Sequence, residues 1–283
     1  MRTLFAILVA SALTAPAAAQ SFTMSCQPPF STRLELSTEA NAECPAEGSA
    51  AAGTPHALQN QAKNNLCASG NTVEATFTTF KNLQAQLVAR NIANWSPNSL
   101  PPDRSIFKDL YTTSNGDKLG EGSLVKLVAY VMKVKKGGKE SVNCGQSSAA
   151  FIDFHVVLVP TKTSTECASV TAEVIPHFRP TTWSAAAINT PDVPMRFTGQ
   201  LFVDASHKPC QNGVAKAGNP ARIGIVEIHP VYAIDVCKFA SKTKCDVNDE
   251  SVWTPLDHWE ADETWRRVDA ARFRCEIGRV IVQ

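Results

Sequence analysis

Past its first 19 residues the chain has no apolar run long enough to span a bilayer, and it has no excess charge of either sign. Removing those residues from the 283, and Arg2 from the 27 basic side chains, leaves 264 residues with 26 basic and 26 acidic groups, His counted neutral. A neutral chain exerts no global pull on nucleic acid or an anionic membrane. No two of the nine cysteines form a C-x-x-C pair, which excludes a thioredoxin-like redox motif and a zinc ribbon. H-E-x-x-H, G-x-S-x-G, Walker and dinucleotide-binding patterns are missing as well. "GEGS" at 120–123 is a lone glycine pair before a strand and carries no phosphate-site signature.

What is present starts with "MRTLFAILVASALTAPAAAQ": one basic residue, an apolar run from Leu4 to Leu13, and Ala17-Ala18-Ala19 before Gln20. This is the layout of a secretory signal peptide over residues 1–19, with a periplasmic or secreted destination. All nine cysteines (26, 44, 67, 144, 167, 210, 237, 245 and 275) follow it, so up to four disulfides and one leftover thiol are expected. Spacing does not fix the pairing, although Cys237 and Cys245 are close enough to clamp a local loop.

Residues 20–102 read as a loop- and helix-rich N-terminal region stapled by cysteines, with a short helix around "ALQNQAKNNLCA". In "TFTTFKNLQAQLVARNIANW", Phe80, Leu83 and Leu87 have the spacing of a packed helix, which "SPNSLPPDRS" ends. Residues 103–240 then change to β: "GSLVKLVAYVMKVKK", "AAFIDFHVVLVP", "ASVTAEVIP", "MRFTGQLFVD" and "RIGIVEIHPVYAIDVC". Five strands, with the widest irregular connection between the third and fourth, is the order of an OB-fold barrel. Gly199 in "FTGQLF" suits a strand that bends sharply as a small barrel closes. A jelly-roll fragment or an immunoglobulin-like sandwich also fits the strand count, although the Cys-Trp-Cys spacing of the latter is not evident. Lys133, Lys135, Lys136 and Lys139 surround "GG" and read as a solvated hairpin tip. Residues 241–283, with Trp253, Trp259 and Trp265, read as an extension packed on the barrel. The fold class is mainly β: a five-stranded OB-fold-like barrel between these two flanking regions.

The run "ESVNCG … DFHVVLV … VTAEVIP … FTGQLFVDASH … VEIHPVYAIDV" within residues 120–237 resembles secreted bacterial OB-fold proteins of unassigned activity. The resemblance covers a little under half the chain. It implies an OB-type barrel with strands adjoining in the order 1-2-3-5-4-1, and it carries over no catalytic residue.

Each strand after the first pairs a good apolar face with a charged one. Ile152, Phe154, Val156 and Leu158 alternate with Asp153 and His155; Val170, Ala172 and Val174 alternate with Glu173. In "VEIHPVYAIDVC", Val226, Ile228, Tyr232, Ile234 and Val236 would line one face, with Glu227 and His229 on the other. Asp204 and His207 follow the fourth strand. The neighbour order brings these residues to one outer patch if their heights match. Outer barrel faces are wet, so the patch is first of all a solvated face with cross-strand His–carboxylate pairs. Its sharper reading is a metal site, zinc for example, with His155, His207, His229, Asp153 and Asp204 as ligands. Glu173 and Glu227 would then orient the imidazoles or act as general base. His177 and His258 read as ordinary, and His56 is uninformative.

The expectation is an exported OB-fold binding or interaction module of the bacterial envelope. Its unknown ligand is a protein or oligosaccharide; nucleic acid is disfavoured by charge and export. The alternative is a zinc-dependent hydrolase with its His/carboxylate site on the outer barrel face.

Overall fold

Thr54 and Thr76 each open a helix by offering a hydroxyl to an amide that the first turn leaves without a partner. In the computed structural model, residues 47–259 are described, apart from 65, 67, 93–103, 148–151, 177–178, 190, 206 and 217–219. The leader, Cys26, Cys44, Cys67, Cys275, His177 and Trp265 lie outside the described residues. Helix α1 (Pro55–Lys63) starts with Pro55 after the Thr54 cap. Helix α2 (Phe77–Ala89) has a full capping box, in which Thr76 and Thr79 each accept from the other's backbone amide. Phe80, Leu83 and Leu87 are buried in the main core, so the helical spacing read in the sequence is the packed face.

Between the helices runs β1 (Ser69–Ala75), and after α2 comes a short hairpin of β2 (Tyr111–Thr112) and β3 (Lys118–Leu119). The barrel strands are β4 (Ser123–Lys136), β5 (Phe154–Val159), β6 (Val170–Val174), β7 (Met195–Val203) and β8 (Val226–Cys237). The short helix α3 (Ala185–Asn189) lies between β6 and β7. The hydrogen-bonded order is β4-β5-β6-β8-β7, and β7 closes back onto β4. All pairs are antiparallel except β6 with β8. This is the 1-2-3-5-4-1 closure, and the fold is an OB-fold-like β-barrel. β1 adds to β4 in parallel from outside, and β9 (Trp253–Pro255) pairs with β8, followed by α4 (Leu256–Trp259).

The barrel interior is filled by the alternate apolar residues, among them Leu127, Val156, Ala172, Phe197 and Ile228. Gly199 sits at a register shift opposite Val231. A Cβ there would lie 2.5 Å from the Pro230 carbonyl oxygen, so only glycine lets β7 and β8 approach this closely. The same irregularity corrects one expectation for β8. Val231 takes the core position, and Tyr232 turns outward to pack on Ala68 and Leu124. Its hydroxyl donates to Leu66 O at 2.7 Å and accepts from Ala68 N at 3.2 Å, fastening the segment before β1 to the barrel. The register shifts on either side of Gly199 upset the alternation locally: Ile228 before them and Ile234 and Val236 after them keep the core face expected of them.

Two disulfides join described cysteines. Cys167–Cys210 links the loop before β6 to the β7–β8 connection, and Cys237–Cys245 closes the short loop expected from spacing. No helix among the described residues is long and apolar enough to cross a membrane.

Candidate functional site

His155 and Glu173 are register partners across β5 and β6, and Ala172 pairs with Ile228 across β6 and β8. Those pairings set Glu173 beside Glu227 and His229 on the outer side of the barrel. Asp204 joins them at the end of β7, where its amide donates to Ile225 O. Asp153, His155, Glu173, Asp204, Glu227 and His229 are thus neighbours, as the strand order implied. They are not wet. Their exposures run from 0 to 6 %, which overturns the solvated-face expectation.

The cover is α1, whose buried face is polar: Gln59, Asn60, Gln61 and Lys63. Gln59 donates to Asp204 Oδ1 at 3.2 Å and accepts from Ala205 N at 3.1 Å. Lys63 Nζ lies 2.9 Å from Glu173 Oε2 and 2.9 Å from Glu140 Oε2. His155 Nε2 is 2.8 Å from Glu173 Oε1, and His229 Nε2 is 3.3 Å from Glu173 Oε2. His207 Nδ1 is 2.7 Å from Asp204 Oδ2. Arg222, fully buried, holds Glu227 Oε2 at 2.7 Å. Asn143 donates to Asp153 Oδ1 at 3.3 Å.

Burial opposes every charge in this network, and the neighbours decide the outcome. For Lys63, burial pulls the ammonium down, but Glu140, Glu173, Asp153 and Asp204 hold it well above its ordinary value. Burial would raise Glu173, yet Lys63, His155 and His229 keep it well below the usual carboxylate range. Asp204 is lowered against its burial by His207, Lys63 and Arg222. His155 is raised because Glu173 outweighs desolvation. Asp153 goes the other way: burial, with Glu140 and Glu173 adding to it, pushes it up to about 7. Burial pushes His229 down to about 3, so its imidazole is neutral at physiological pH. Glu227 is raised by burial and by Glu173 and Asp204, with Arg222 pulling against them.

Among the described residues, two triads have ligand atoms close enough for a metal: Asp153, Glu173 and His229, and Glu173, Asp204 and Glu227. The expected three-imidazole set is not assembled in either. His229 lies inside, while His155 and His207, with ring centroids 6.3 Å apart, line a cleft above the network.

That cleft has a volume of about 350 Å³. Its walls are α1 (His56, Gln59, Asn60, Lys63), the segment from Lys135 to Val142, and His207, with His155 at the floor. Ser141 Oγ is 2.8 Å from His56 Nε2 and also bonds Asn60. Lys135, Lys136 and Lys139 therefore border a cleft, where a solvated hairpin tip was expected; only Lys133 is drawn elsewhere, to Glu166. Sequence reasoning missed His56, Gln59, Lys63, Glu140, Ser141 and Arg222. The one available signal was α1 itself, a short helix with three amides and a lysine on consecutive turns.

No family model, characterised protein or solved structure matches the chain. Fold and site alone define its class: an OB-fold-like barrel with a buried ion network beneath a polar cleft.

Proposed function

We propose that the chain is an exported binding or interaction module of the bacterial envelope, periplasmic or secreted, that takes its ligand in the cleft beside α1. The observation that carries this reading is the cleft's position. It opens where the β4–β5 loop, with Gly137 to Val142, meets His207 of the β7–β8 connection. Loops in these two places bind ligands in OB barrels generally. The disulfides agree with export. Oligosaccharide suits the lining better than nucleic acid. Among the described residues, no Phe, Tyr or Trp lines the cleft, so it offers no platform for stacked bases.

The zinc-hydrolase alternative draws on the Asp153–Glu173–His229 triad. Two features weigh against it. The triad is buried without the open position that a catalytic zinc keeps for water or substrate. The Lys63 ammonium already neutralises Glu173 at 2.9 Å. Calorimetric titration of zinc into the chain and into His229→Gln separates the readings. Uptake at neutral pH that the substitution abolishes would reinstate the metal site.

The binding reading is tested by NMR titration with soluble cell-wall saccharide fragments. Gly138 lines the cleft and has open space where a Cβ would go, so Gly138→Trp adds bulk at the cleft wall. Shifts at His56, Lys139, Ser141 and His207 that Gly138→Trp removes are expected. Shifts that map elsewhere, or that survive the substitution, would refute it.

A further inference from the structure

We propose that the cleft is an oxyanion site, which takes small polar molecules bearing a phosphate or carboxylate between Lys136 and Lys139 at the rim and His155 at the floor. This rests on the binding-module reading and names the chemistry of its ligand.

The charge at the cleft is one-sided. Three lysines that lie outside the buried network, Lys135, Lys136 and Lys139, line it against a single carboxylate, Glu140. Glu140 is occupied, since its Oε2 holds Lys63. Lys136 and Lys139 are exposed and have no ion-pair partner among the described residues. The acidic groups of the network do not offset them. Asp153, Glu173 and Asp204 sit behind the floor, almost fully buried; Glu173 and Asp204 face Lys63, His155 and His207, and Asp153 accepts from Asn143. A cation entering from solvent meets ammonium groups; an anion meets donors.

The floor supplies a second, independent observation. The His155 side chain is 7 % exposed, and neither ring nitrogen makes an aligned hydrogen bond. Nε2 has its ionic contact with Glu173, and Nδ1, buried and without a partner, becomes a second donor in the protonated ring, the form that Glu173 favours. A buried donor left unmade costs free energy, which a ligand oxygen would recover. Gly137, in the cleft wall, packs closely on the ring: a Cβ there would lie 3.3 Å from His155 Cε1, a tight contact. The volume, about 350 Å³, is at the lower end of small-ligand sites and suits one charged unit, such as a sugar acid or a sugar phosphate.

Isothermal calorimetry on the leaderless, disulfide-bonded chain tests the proposal with four probes: inorganic phosphate, glucose 6-phosphate, glucuronate and glucose. Binding of the anionic probes without binding of glucose is expected, and glucose 6-phosphate against glucuronate tells phosphate from carboxylate recognition. The double variant Lys136→Gln/Lys139→Gln should weaken that binding about tenfold, and so should raising the salt from about 50 to about 300 mM. His155→Gln should weaken it with the rim intact, and circular dichroism checks that the variant is folded. Glucose binding as well as glucuronate, or a double variant that binds as tightly as its parent, would overturn the oxyanion claim. If all four probes fail while a cell-wall fragment still gives shifts that Gly138→Trp removes, this inference falls and the binding module stands. If that fragment fails too, both fall.

Discussion

Replacing Lys63 by methionine tests whether the charged patch is an internally neutralised network. Lys63 is nearly buried and lies 2.9 Å from two carboxylates. Glu140, partly exposed at the rim, loses little when the ammonium goes, because exposed pairs are worth about 0–1 kcal/mol. Glu173 is different. Its side chain has no exposure, so losing its cation leaves a buried charge, at a typical cost of about 3–5 kcal/mol. His155 stays 2.8 Å away and compensates part of that, which places the expectation near the lower end, about 3 kcal/mol. Methionine keeps the stem's apolar volume, so little of the effect is packing. Urea unfolding is the assay, read as a midpoint shift at constant slope.

A companion variant makes the result specific. Glu173→Gln alone leaves Lys63 with only the partly exposed Glu140, and Lys63→Met alone leaves Glu173 with only its imidazole neighbours. Together they remove the charge pair, so the double variant should recover at least about 2 kcal/mol relative to the sum of the singles. The cost of Lys63→Met should also shrink toward acid pH, because an uncompensated Glu173 can be neutralised by a proton. A cost under about 1 kcal/mol, or strict additivity in the double variant, would refute the network account.

Asp153→Asn acts with opposite sign. The wild-type carboxyl rises from 3.8 to about 7 on folding, so the folded state binds its proton more tightly than the unfolded state does. Stability from this group is full below pH 3.8 and is lost as pH climbs through about 7. Three pH units correspond to a ceiling of about 4 kcal/mol; thermal unfolding should show Asp153→Asn stabilised at pH 8 and unchanged near pH 4, and an equal effect at both would count against the assignment. Gly199→Ala should cost about 1–3 kcal/mol in urea, because the obstructing atom is a backbone oxygen that cannot swing away; a neutral substitution would show that β7 and β8 are not held at this distance. The Cys167–Cys210 bridge spans 43 residues and Cys237–Cys245 spans 8, so chain entropy alone makes the first worth about 4 and the second about 2.5 kcal/mol. Serine pairs at each bridge, compared by midpoint, should keep that order, and the reverse order would show that native contacts outweigh chain entropy.

The barrel was legible because its signal is local. Each of β4 to β8 is a run of alternating apolar residues bounded by turn residues, and Gly199 marked the bend. The neighbour order followed from the strand count and the long third connection. Where local pattern broke, the reading broke with it. Tyr232 was assigned to the core by a count of two that the irregularity opposite Gly199 interrupts, and no composition rule announces a bulge.

The site was half legible for a different reason. Asp153, His155, Glu173, Glu227 and His229 were found by alternation, and Asp204 and His207 by following the strand end; all of these come within or beside one network. What alternation cannot say is whether the polar face of a strand meets water. That is decided by Gln59 and Lys63, which lie more than a hundred residues upstream of Glu173 and Asp204 and sit on a helix too polar to read as buried. A polar helix face is ordinarily solvated. Here it is buried because what it covers is polar too: amide meets carboxylate, and ammonium meets carboxylate. Complementarity of this kind lies in the pairing of two segments and in neither alone. It also divides the histidines by role. His229, under the helix and held neutral, belongs to the packing, whereas His155 and His207, at the edge the helix leaves uncovered, face the cleft. Any ligand chemistry of this barrel is therefore to be sought at that edge, beside α1, and not in the middle of the charged strands.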